Sequence, residues 1–149
     1  MHVTQSAGTL ITSGSGSLLM TATGDVTLAR ATTTGNVTVQ ADDSQFIAAD
    51  GSGAILDATP AGTEGAGNEN ILGNLVTLRA ASGIGSGVAG NNADLDLSAT
   101  TLDAINTTSG DINLDETNAI TVKRIDQNAA TGRVPHVAGG SITVAAGES

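Results

Sequence analysis

Short segments that place one polar residue between two apolar ones recur along the chain. The most regular are residues 112–114 (INL) and 120–122 (ITV), each preceded by turn residues at 109–111 (SGD) and 116–118 (ETN). Alternation with a period of two predicts β-strands, with the outer side chains inward and the middle one in solvent. Further triplets lie at 18–20, 26–28, 37–39, 76–78, 95–97 and 142–144, with less regular candidates at 10–12, 46–48, 55–56 and 102–105.

The pattern does not favour helices. No window sustains apolar residues at the i, i+3, i+4, i+7 spacing of an amphipathic helix, and the 20 glycines recur too often for stable helical turns. We therefore predict an all-β protein.

The spacing of the triplets distinguishes two β architectures. Triplet starts are separated by 8 residues (112 to 120), 11 (26 to 37), 17 (95 to 112) and 19 (76 to 95). Hairpins in a β-sandwich remain an alternative, but a sandwich core normally uses aromatic side chains, and this chain has one aromatic residue, Phe46. A β-solenoid can fill a narrow core with Val, Ile, Leu and Ala. We expect a solenoid of about seven turns of roughly 17–22 residues, each with two main strands and room for a third short one.

The chain is predicted to form one domain, residues 1–149, interrupted by two loop insertions near 57–74 and 123–140. The first contains Pro60 and several glycines. The second gathers basic residues that are rare elsewhere in the chain, which makes it a candidate binding loop. Its candidate residues are Lys123, Arg124, Arg133 and His136. The alternative is a solvated insertion whose cations offset nearby acidic residues.

The charge excludes some partners. With 15 acidic and 5 basic residues the net charge is −10, so neither nucleic acid nor anionic lipid is an expected partner. The chain has no cysteine, which excludes a disulfide scaffold and a thiolate zinc site. It has no apolar run long enough to insert into a membrane and no visible signal peptide, so we expect a fragment or processed form if the protein is extracellular.

Acidic residues raise two chemical possibilities. Asp94 and Asp96 flank one strand residue and point the same way, as paired-carboxylate catalysis would need. Without Trp or Tyr platforms for sugar rings, we predict no enzymatic activity and no catalytic residue. No cofactor is expected, although calcium remains a candidate ligand at Asp94, Asp96 and Asp111. The repeat G-G-x-G-x-D-x-U-x of calcium-binding solenoids is absent.

One long stretch carries a family resemblance. In order, it contains a Gly-Ile-Gly turn at 83–85, Leu-x-Leu at 95–97, Leu-x-Ala at 102–104, S-G-x-I-x-L at 109–114 and A-I-T-V at 119–122. This phrase resembles the repeats of filamentous-haemagglutinin-like exoproteins and related large bacterial surface adhesins. The resemblance implies a right-handed parallel β-helix, export to the cell surface, and a role as stalk or adhesive rod.

We therefore expect a non-catalytic repeat shaft of a bacterial cell-surface or secreted adhesin, which spaces or displays adhesive parts. Its expected partners are other segments of a longer parent chain, with a host or surface glycan or protein as a further candidate. A first alternative is a self-assembling extracellular fibre subunit, whose copies associate end to end. A second is a polysaccharide-binding or polysaccharide-cleaving β-helix.

Overall fold

The structure is a computed structural model that describes residues 1–42, 51–60, 63, 67–87, 94–127 and 142–146. This part of the chain contains thirteen strands and no helix, so the all-β prediction is confirmed. None of it is therefore a helix that could cross a membrane. The strands are β1 (Val3–Thr4), β2 (Leu10–Thr12), β3 (Leu18–Thr21), β4 (Val26–Leu28), β5 (Arg30–Thr32), β6 (Val37–Gln40), β7 (Ile55–Asp57), β8 (Ile71–Ala80), β9 (Ile84–Gly87), β10 (Leu95–Asn106), β11 (Ile112–Glu116), β12 (Thr121–Gln127) and β13 (Ile142–Ala146).

All described strand pairs are parallel, and they form three stacks within one curled sheet. The first stack contains β1, β4, β7, β9, β11 and β13. The second contains β2, β5, β8 and β10, and the third contains β3, β6, β8, β10 and β12. The long strands β8 and β10 belong to two stacks. Parallel neighbours that are distant in sequence are the arrangement expected of a coil of short strands.

Equivalent positions recur at a longer interval than the triplet spacing suggested. In the first stack Val3 pairs with Val26, and the column continues through residues 55, 84, 112 and 142. The steps are 23, 29, 29, 28 and 30 residues. The expected repeat of roughly 17–22 residues in about seven turns is therefore wrong. Each repeat contributes to three stacks, and the turns between stacks lengthen it.

The interior is filled by small and medium aliphatic side chains. Consecutive layers place Val26, Ile55, Ile84 and Ile112 in one fully buried column. The third stack supplies a second buried column that includes Val37, Val76 and Leu102. Since neighbouring strands lie about 4.8 Å apart, each inward side chain contacts the ones above and below it, and no aromatic residue is needed to fill the space.

Buried amide side chains hold the corners between stacks. Asn70 Nδ2 donates to the Ala29 carbonyl at 2.9 Å and to Thr59 Oγ1 at 2.8 Å. At another corner Asn106 Oδ1 accepts from the Gly83 amide at 3.0 Å, and its Nδ2 donates to the Ser109 carbonyl at 2.7 Å. Because buried backbone groups at a bend lack strand partners, such amides supply the missing donors and acceptors.

Several strand boundaries differ from the prediction. The triplet at 120–122 is displaced, because β12 begins at Thr121 and its register shifts beside Leu102 and Asp103. Val122 is half exposed, and Ile125 packs against the core instead. The predicted loops are also shorter, since 123–127 belong to β12, residue 57 ends β7, and 71–74 begin β8. The candidate strand at 46–48 lies outside the described residues.

Candidate functional site

Three aspartates meet where β10 begins. Asp94 immediately precedes β10, and Asp96 is the second residue of the strand. Asp96 pairs in register with Asp115 on the parallel strand β11. Leu95 and Leu97 are fully buried, so the alternation of the strand directs Asp94 and Asp96 to the other face. The local sequence and the parallel register together bring three carboxylates to one place.

One oxygen from each of these carboxylates lies within 4.8 Å of the other two. Asp96 is only 4% exposed, whereas Asp94 and Asp115 are half-buried. The backbone amide of Asp96 donates to Asn70 Oδ1 at 2.8 Å, but its Oδ2 has no hydrogen-bond partner. The buried Oδ1 of Asp94 has none either. We call Asp94, Asp96 and Asp115 the carboxylate cluster.

Burial and like charge both act on Asp96. Desolvation raises the pKa of its carboxyl to about 6, and the negative charges of Asp94, Asp115, Asp57 and Glu69 add to the shift. The pKa of Asp94 is also raised, first by desolvation and then by Asp115 and Asp57. No lysine, arginine or histidine forms an ion pair with the cluster among the residues that the structure describes. Ionised oxygens in this position attract a cation.

The sequence identified only part of this cluster. Asp94 and Asp96 were candidates because they lie two residues apart in one strand. Asp111 is not in the group of three; it lies at the turn before β11, where its carbonyl accepts from the Ile84 amide at 2.9 Å. Asp115, the third member, was missed because its proximity depends on the register of β11 against β10. Its outward position in β11 was the only signal in the sequence.

The basic candidates are placed differently from the prediction. Lys123 and Arg124 lie in strand β12, not in a loop. Both contact Asp103, with Lys123 Nζ 3.2 Å from its Oδ2 and Arg124 Nη2 2.9 Å from its Oδ1. The two cations are therefore partners of an internal carboxylate, which agrees with the alternative that they offset acidic residues. Arg133 and His136 lie outside the described residues.

Asp103 has a third basic partner and shows the opposite electrostatics to Asp96. Arg79 Nη2 lies 2.8 Å from Asp103 Oδ1. Asp103 is 2% exposed, and desolvation would raise its pKa, but the hydrogen bonds and charges of Arg124, Lys123 and Arg79 outweigh burial and lower it. This cluster of ions joins β8, β10 and β12 across three layers.

An open cavity of about 530 Å³ lies beside the corner between the first two stacks. Its lining includes Ala7, Ala29, Arg30 and Pro60 and contains no carboxylate. Arg30 Nη2 is already bonded to the Gly67 carbonyl at 2.7 Å. The carboxylate cluster does not line this cavity, so the two features do not form one catalytic cleft.

Comparison of the chain with protein-family models, with curated proteins and with solved structures found no match.

Proposed function

We propose that the chain folds as a right-handed parallel β-helix and serves as a non-catalytic repeat shaft of a bacterial cell-surface or secreted adhesin. The observation that supports this proposal most directly is the set of three parallel stacks in register. Parallel strands joined by crossovers of this kind are almost always right-handed. A rigid coil of this type holds other parts of a protein at a fixed spacing.

The positions of the family-like phrase agree with this proposal. Its segments follow one repeat in order: 83–85 leads into β9, 95–97 and 102–104 lie in β10, 109–114 leads into β11, and 119–122 leads into β12. Gly85 has a φ of 78°, and a side chain there would overlap the Asn113 carbonyl of the next layer. The phrase therefore coincides with the elements that make one layer and its close contact with the next.

The alternative of a fibre subunit is favoured by the open edge of the first layer. Strands β1, β2 and β3 each pair on one side only among the described residues. Leu19 in β3 is 70% exposed, and Leu10 and Ile11 in β2 are also exposed. Unpaired strand edges with apolar side chains associate with other strands. The partner is either a preceding layer of a parent chain or a second copy.

Engineered cysteines test the coil, since the chain has none of its own. Thr38 and Thr77 are paired in register, so the double variant Thr38→Cys/Thr77→Cys is expected to form an intramolecular disulfide at the usual Cα separation of about 4.4–6.8 Å. Leu19 pairs with Thr38 but lies two layers from Thr77. Leu19→Cys/Thr77→Cys is the matched control and is expected to remain unbridged. Equal bridging in both variants would contradict the stacked layers.

Light scattering after size exclusion, with chelator present, tests the role of the shaft. A monomer of 14.5 kDa without turnover of acidic polysaccharides supports a shaft segment. Growth into large species that Leu19→Lys suppresses would favour the fibre subunit instead. Leu72→Lys is the control, because Leu72 is similarly apolar and partly exposed but lies in β8, which is paired on both sides. Polysaccharide turnover that Asp96→Asn abolishes would overturn the non-catalytic assignment.

A further inference from the structure

The carboxylate cluster lacks the positive charge that its burial requires. Three acidic side chains share a volume in which their oxygens lie within 4.8 Å of one another. Asp96 is buried and directs an unpartnered oxygen into this volume, and a buried oxygen of Asp94 also lacks a partner. A buried ionised group without a hydrogen bond or a counter-ion is strongly unfavourable. Asp103, in the same strand, shows how the protein satisfies such a group elsewhere, with three cations.

We propose that Asp94, Asp96 and Asp115 bind one Ca²⁺ ion. Ca²⁺ takes oxygen ligands at about 2.3–2.6 Å, so two ligands of one ion lie at most about 4.6–5.2 Å apart. The three oxygens satisfy this limit. Asp94 and Asp115 are half-buried, which leaves the ion open to water on one side. Water molecules complete its coordination.

Calcium fits this donor set better than magnesium. Mg²⁺ requires near-ideal octahedral geometry at about 2.0–2.1 Å and releases its water reluctantly, whereas Ca²⁺ accepts irregular arrangements of carboxylates. The three ligands here are fixed by a strand backbone and by the register of a neighbouring strand, not by a flexible loop. The arrangement therefore favours the larger ion.

The bound ion would join two successive layers. Asp94 and Asp96 belong to the layer of β10, and Asp115 belongs to β11. The ion therefore bridges strands that are otherwise held by backbone hydrogen bonds and by the apolar core. This inference concerns the site alone and holds for a shaft segment and for a fibre subunit alike.

Calorimetric titration of the chelator-treated full chain with CaCl₂ tests the proposal. With only three protein ligands, we expect a Kd of about 0.1–1 mM. At a free Ca²⁺ concentration about tenfold above that Kd, the Tm is expected to rise by about 3–5 °C. MgCl₂ is expected to produce a smaller shift, and NaCl of equal ionic strength none. The absence of both heat and a Tm shift, or an equal shift with NaCl, would overturn the proposal.

Variants separate ion binding from folding. Asp96→Asn removes a buried negative charge, so it is expected to raise the Tm of the ion-free chain while weakening Ca²⁺ binding by about tenfold or more. Asp115→Asn should weaken binding in the same way. Asp111→Asn is the matched control, because it also removes one carboxylate but leaves the cluster intact. Retention of the Ca²⁺ response in Asp96→Asn, or its equal loss in Asp111→Asn, would refute the site.

Discussion

Strand β10 carries two buried aspartates whose surroundings are opposite. Asp96 and Asp103 are both almost inaccessible to solvent. Asp103 contacts Arg79, Lys123 and Arg124, and its pKa is lowered. Asp96 has only acidic side chains nearby, and its pKa is raised to about 6.

This difference arises from cross-strand neighbours and not from the strand itself. Asp103 is flanked in register by Thr77 on β8 and Arg124 on β12, and Asp96 is paired with Asp115 on β11. In a parallel stack each residue meets side chains that are about one repeat away in sequence. The charge state of a buried acid is therefore decided by the layers above and below it.

The largest expected effect is the loss of Asp103. Asp103→Asn leaves Arg79, Lys123 and Arg124 without their shared counter-ion. Breaking a buried pair costs about 3–5 kcal/mol, which we reduce to about 2–3 kcal/mol because these cations are partly exposed. Urea unfolding at neutral pH measures the free energy of unfolding.

Asp126→Asn is the control for that measurement. Asp126 lies 3.9 Å from Arg124 and is partly exposed, so its loss should change the free energy of unfolding by less than about 0.5 kcal/mol. Similar losses in the two variants would show that burial does not distinguish the two aspartates.

The next effect is a pH dependence of opposite sign at the two aspartates. Because the pKa of Asp103 is lowered on folding, its contribution is present above the ordinary value of 3.8 and is lost as the pH falls through the lowered value. The pKa of Asp96 is raised, so its relative stabilisation is present below 3.8 and is lost as the pH rises through about 6. With chelator present, wild type should therefore be less stable than Asp96→Asn at pH 8.

The size of the Asp96 effect follows from its pKa. A rise from 3.8 to about 6 corresponds to at most about 3 kcal/mol, and we expect about 1–2 kcal/mol because solvent reaches the half-buried neighbours. Urea unfolding of wild type, Asp96→Asn and Asp103→Asn between acid and neutral pH checks it. A constant difference between wild type and Asp96→Asn over this range would mean that the carboxyl titrates normally.

The smallest expected effect is at Lys123. Its side chain is 62% exposed although its Nζ lies 3.2 Å from Asp103. An exposed ion pair contributes little, so Lys123→Ala should lower the free energy of unfolding by less than about 1 kcal/mol. Arg124→Ala is the comparison, because Arg124 donates to both oxygens of Asp103 and is expected to cost more. Equal costs would mean that the geometry of the guanidinium does not matter.

Sequence reasoning found most strands because their signal is local. Alternation at 26–28, 37–39, 76–78, 95–97 and 112–114 placed strands that the structure contains. The register shift in β12 could not be predicted, since it depends on the pairing with β10. The repeat length also failed, because the residues that turn the chain between stacks, such as Asn70 and Asn106, carry no apolar period.

The candidate site divides in the same way. Asp94 and Asp96 share a strand face whatever their neighbours are, so the sequence could pair them. Their third partner depended on the strand stacked next to them, which made Asp115 and not Asp111 the member of the cluster. Likewise, no local pattern showed that Lys123 and Arg124 contact Asp103 and lie outside any loop.

The sequence by itself determined the all-β class, the inward and outward faces of most strands, and a core without aromatic side chains. These properties follow from the period of the backbone and from side-chain chemistry, which act over a few residues. Only the tertiary structure decided the repeat of 23–30 residues, the three stacks and the contrasting surroundings of Asp96 and Asp103. Those depend on which strands lie side by side, and parallel stacking joins residues that are about one repeat apart in the chain.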